Sequence, residues 1–63
     1  MTNENRFFVG ARGFGDDAQI VVMLPPIKPI TKDDAVNLAA WLVAVADPLR
    51  ETFDRVITEV MDT

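Results

Sequence analysis

The sequence predicts a small α+β domain, a β-hairpin followed by a Pro-rich connector and two helices in the order ββαα. Three observations carry this. Two runs rich in β-branched and aromatic residues, RFFVGAR (6–12) and AQIVVML (18–24), flank a five-residue turn-forming segment. Three prolines then interrupt the strand pattern at Pro25, Pro26 and Pro29. Beyond them, cap residues and 3.6-residue periodicity mark two helices. The 63 residues make one domain, spanning 1–63.

The hairpin spans about residues 6–24. If Arg12 pairs with Ala18, then Phe7, Val9 and Ala11 share a face with Met23, Val21 and Gln19, while Phe8, Gly10 and Arg12 share the other with Val22, Ile20 and Ala18. Both faces are substantially apolar, and a lone two-stranded ribbon is barely stable in water, so the sheet needs cover or further strands. At the tip, GARGFGDD carries all three glycines of the chain. The stretch is superficially like a phosphate-binding loop, but such loops open a helix, whereas a strand follows here, and Asp16 and Asp17 would repel an anion. Gly13 and Gly15 serve a chain reversal, where φ > 0 is needed. The turn leaves Phe14 unexplained, an aromatic at a tip next to Arg12.

Residues 25–30 form a stiff connector. Its PxxP spacing, Pro26 to Pro29, is too generic to mark a docking motif. Thr31 is an N-cap for a helix over about 32–46, with Asp33 and Asp34 in the first turn facing the positive end of the helix dipole. From Leu38 onward this helix is apolar all round (LAAWLVAVA), the pattern of a helix buried on most sides. Trp41 reads as a core or interface anchor whose indole N–H needs a partner. Asp47-Pro48 ends the helix and begins a second one over about 48–61, with Asp47 as N-cap and Pro48 at the first position. There Leu49, Phe53, Val56, Ile57, Val60 and Met61 form an apolar stripe. Glu51 with Arg55 and Arg50 with Asp54 have i,i+4 spacing on the other side.

Composition narrows the function. With no cysteine, histidine or serine, the chain lacks thiolate and imidazole metal ligands, disulfides and the usual nucleophile–base pairs, so we read it as a non-enzyme without cofactor or metal. The aspartate pairs at 16–17 and 33–34 lack multi-ligand cation spacing and suit turn and cap roles. The longest apolar run, Leu38 to Ala46, falls well short of the ~20 residues that cross a bilayer. MTNENRFF has no signal-peptide pattern, so we expect a cytoplasmic protein. The net charge of −4 argues against general affinity for nucleic acid or membrane. A chain this short buries only about 60% of its unfolded surface, while 49% of its residues are hydrophobic at mean hydropathy +0.15. Self-association, as a homodimer or higher oligomer, is the remaining route to stability. Phe7, Phe8, Ile20, Val22, Trp41, Leu42 and Val45 are its candidate interface or core residues.

The run ITKDDAVNLAAWLVAVADP, after a hydrophobic hairpin ending in LPPIKP, resembles small uncharacterised accessory proteins of tailed bacteriophages. The likeness covers roughly 6–48 and carries over no functional residue. It implies action without catalysis in the host cytoplasm, by binding and inhibiting a host protein such as a defence factor. The alternative it implies is an oligomer that sequesters an anionic nucleotide signal. The candidate binding residues are Arg12, Phe14 and Lys28, with Arg6 a further cation for the alternative. A ribbon-helix-helix DNA-binding regulator is a third reading, disfavoured by the acidic balance and by a hairpin where one basic strand is expected.

Overall fold

The computed structural model describes residues 3–63. Two antiparallel strands, β1 (Val9–Arg12) and β2 (Gln19–Val22), precede α1 (Lys32–Ala46) and α2 (Phe53–Met61), the predicted ββαα order. Residues 23–31 connect sheet to helix without regular structure. No helix among the described residues is long and apolar enough to cross a membrane.

The hairpin register is shifted by one residue from the expected one. Arg12 pairs with Gln19, not Ala18, and Val9 pairs with Val22. The cause lies in the loop: Gly13 (φ 93°) and Gly15 (φ 62°) adopt positive φ, and a 3-10 turn at Gly15–Asp17 closes with the Ala18 N–H donating to the Gly15 carbonyl at 3.2 Å. Ala18 is therefore spent in the turn. Because side chains alternate with period two, the slip exchanges partners across the faces. Val9 and Ala11 now share a face with Val22 and Ile20, while Gly10 and Arg12 share the other with Val21 and Gln19.

At the open end of the hairpin, the Asn5 side chain acts as an extra rung. Its Nδ2 donates to the Val9 carbonyl and its Oδ1 accepts from the Val9 N–H, both at 2.9 Å. Phe7 and Phe8 carbonyls accept from the Leu24 and Met23 N–H groups, extending the pairing past β1. Phe8 reaches this position at φ 50°, in the left-handed region.

Thr31 caps α1 as the sequence indicates, its Oγ1 accepting from the Asp34 N–H at 3.1 Å. The start of α2 differs. It begins at Phe53 rather than near Pro48, and residues 48–49 and 51–52 form turns on either side of Arg50, which has φ 54°. Asp47 still caps α2, but from a distance: its Oδ2 accepts from the Thr52 N–H at 3.0 Å and the Phe53 N–H at 2.6 Å. Its backbone N–H meanwhile donates to the Val43 carbonyl and closes α1. One residue joins both helix ends. With Arg50 and Glu51 outside the helix, neither predicted i,i+4 ion pair forms.

Packing inside the chain is thin. Val9, 6% exposed, is the buried hydrophobic residue of the described chain. Phe7, Val22, Trp41, Leu42 and Val45 are half-buried, whereas Phe8 and Ile20 are exposed. α1 lies against the hairpin, chiefly β1, and in α2 only Phe53 escapes full exposure. An apolar helix that the sequence marks for burial is thus covered on one side only.

Candidate functional site

α1 has two sides of different chemistry. Asp34, Asn37 and Trp41 fall at i, i+3 and i+7, one helical stripe, and together they hold the segment before β1. The Asn37 Nδ2 donates to the Glu4 carbonyl at 2.7 Å, and the Trp41 Nε1 donates to the Asn3 carbonyl at 3.2 Å. The Arg6 Nη1 meets Asp34 Oδ1 at 2.7 Å in an ion pair, and the Arg6 N–H approaches Asn37 Oδ1 at 3.5 Å. Trp41 thereby finds the indole partner its position demands. Arg6 is committed to Asp34 and is no longer a free cation for an anionic ligand. Asn37 carries no local sequence signature, because the backbone groups it serves, at Glu4 and Arg6, lie over 30 residues away, and Asn5 carries none because its bonds to Val9, four residues on, fall outside any helix.

The opposite side of α1 is open. Ala35, Val36, Ala39, Ala40 and Ala46 are exposed, and Phe53 of α2 sits against this side near Ala39 and Val43. Two apolar grooves flank Phe53. One, of about 520 Å³, runs between Ala39, Leu42, Val43 and Ala46 on α1 and Phe53 and Val56 on α2. The other, of about 470 Å³, includes Val36, Ala40, Pro48 and Arg50. Val56, Ile57, Val60 and Met61 continue the apolar face of α2 into solvent, 39 to 76% exposed.

The hairpin tip forms the second candidate surface. Phe14 is 94% exposed, held between two glycines in left-handed geometry, with exposed Arg12, Asp16 and Asp17 beside it. Arg12 and Lys28 are exposed and make no ion pair among the described residues. No group of three or more acidic, His or Cys side chains gathers among the described residues. Polar chemistry at the tip is therefore mixed in sign, with one aromatic standing out of it.

Compared with known proteins, the chain matches no family model, no curated protein and no solved structure.

Proposed function

We propose that the protein is a non-catalytic accessory module that self-associates and uses its hairpin tip to bind and inhibit a protein partner. The observation that carries this reading is Phe14. A large aromatic 94% exposed on a turn is unfavourable in isolation, and aromatics with arginine are the side chains that dominate protein interfaces. The phage resemblance supplies the setting, a host protein in the host cytoplasm, such as a defence factor.

Sequestration of an anionic nucleotide has less support. Asp16 and Asp17 flank the tip, and Arg6 is already paired with Asp34. Arg12 and Lys28 remain as cations that oligomerisation would have to gather. The discriminating experiment compares wild type, Phe14→Ala and the Arg12→Gln/Lys28→Gln pair for partner capture in host lysate and for nucleotide binding by calorimetry. The expected result is a discrete host protein captured by wild type and lost with Phe14→Ala, without measurable nucleotide binding. Tight nucleotide binding that vanishes in the Arg12→Gln/Lys28→Gln pair would overturn the reading in favour of sequestration.

A further inference from the structure

The chain, whose α1 has an open side and whose α2 carries an exposed apolar stripe, leaves more surface in water than a compact protein of its size. A compact protein of 7.0 kDa exposes about 4,000 Å². This chain exposes 5545 Å², an excess of about 1,500 Å² over that scaling. A stable protein interface needs only about 800 Å² from each partner. The dimensions agree. A radius of gyration of 12.7 Å is that of a compact domain of about 100 residues rather than 63.

We propose that the groove between α1 and α2 is a two-fold self-association surface: Val56 and Val60 from α2 of a second copy seat on the Ala39–Ala46 face of α1, and reciprocally. This rests on the reading of the chain as self-associating and assigns the surface to the helices, not to the hairpin residues Phe8 and Ile20. Shape supports the assignment. Alanines at 39 and 46, with Val43 between them, lie along one side of α1, where small side chains let another helix approach closely. Charge is compatible with it. Asp54, Arg55 and Glu59 lie beside or behind the α2 stripe, so all three stay at a wet rim when the stripe is covered. The acidic balance disfavours an anionic lipid surface as the occupant.

A second copy is favoured over a foreign helix by the weakness of the fold alone. With Val9 the buried residue, the chain needs its cover at the time it folds, and another copy is the partner present at every synthesis. An isologous contact also covers both unpartnered surfaces with one arrangement, since each α2 fills the other chain's groove.

The chain contains no cysteine, which makes directed cross-linking clean. An Ala39→Cys chain carrying a size tag is mixed with an untagged Val60→Cys chain, refolded together and oxidised. The expected product is the mixed disulfide dimer, while Phe14→Cys chains treated identically stay uncoupled. Separately, Ala39→Glu, at an exposed position of the single chain, should shift the sedimenting mass from dimer to monomer. Phe14→Ala should leave that mass unchanged whatever it does to partner capture, so failure of the interface and failure of the tip reading are told apart. Cross-linking through Phe14→Cys in place of the Ala39–Val60 pair, or an Ala39→Glu protein of unchanged mass and melting point, would overturn the proposal.

Discussion

Individual side chains divide here into those that hold the chain together and those that face outward. Asn5 belongs to the first group, since its amide makes two hydrogen bonds with Val9, the buried residue. Asn5→Ala should lower stability by about 1 to 2 kcal/mol, read from the denaturation midpoint, because two part-buried backbone groups lose their partners. Arg50 carries strain instead. At φ 54° an L-residue pays for left-handed geometry that glycine adopts freely, so Arg50→Gly should raise stability by up to about 1 kcal/mol. A lower melting temperature for this variant would mean that Arg50 makes contacts in the assembly that outweigh its backbone strain. Phe14 belongs to the outward group: Phe14→Ala should leave the melting curve within about 0.5 kcal/mol of wild type.

Elements show what pattern can and cannot encode. α1 was legible because its cap is local: Thr31 reaches the N–H three residues on, and Asp33 and Asp34 occupy the first turn. Thr31→Ala should therefore cost about 1 kcal/mol and reduce helicity by circular dichroism. The start of α2 was not legible, although its cap was named. Asp47 beside Pro48 has the local form of a cap, but its carboxylate accepts from donors five and six residues away, which no i,i+3 spacing announces. The hairpin's existence and its turn glycines were legible, while its register depended on whether Ala18 belongs to strand or turn. At the candidate site, pattern gave the tip residues Arg12 and Phe14 by their place in the turn. It did not give the α1–α2 grooves, because a helix apolar all round carries no mark of which side its own chain will leave open.

For the whole molecule, the proposed self-association accounts together for the thin interior and the surplus surface. The central claim is that its helices are covered by another copy. It is tested most directly by sedimentation equilibrium combined with thermal unfolding over a range of protein concentrations. The account predicts a folded species at twice 7.0 kDa, a melting temperature that rises with concentration, and loss of helical signal on dilution as dimer gives way to unfolded chain. A folded species of 7.0 kDa at low micromolar concentration, with a melting temperature independent of concentration, would contradict it.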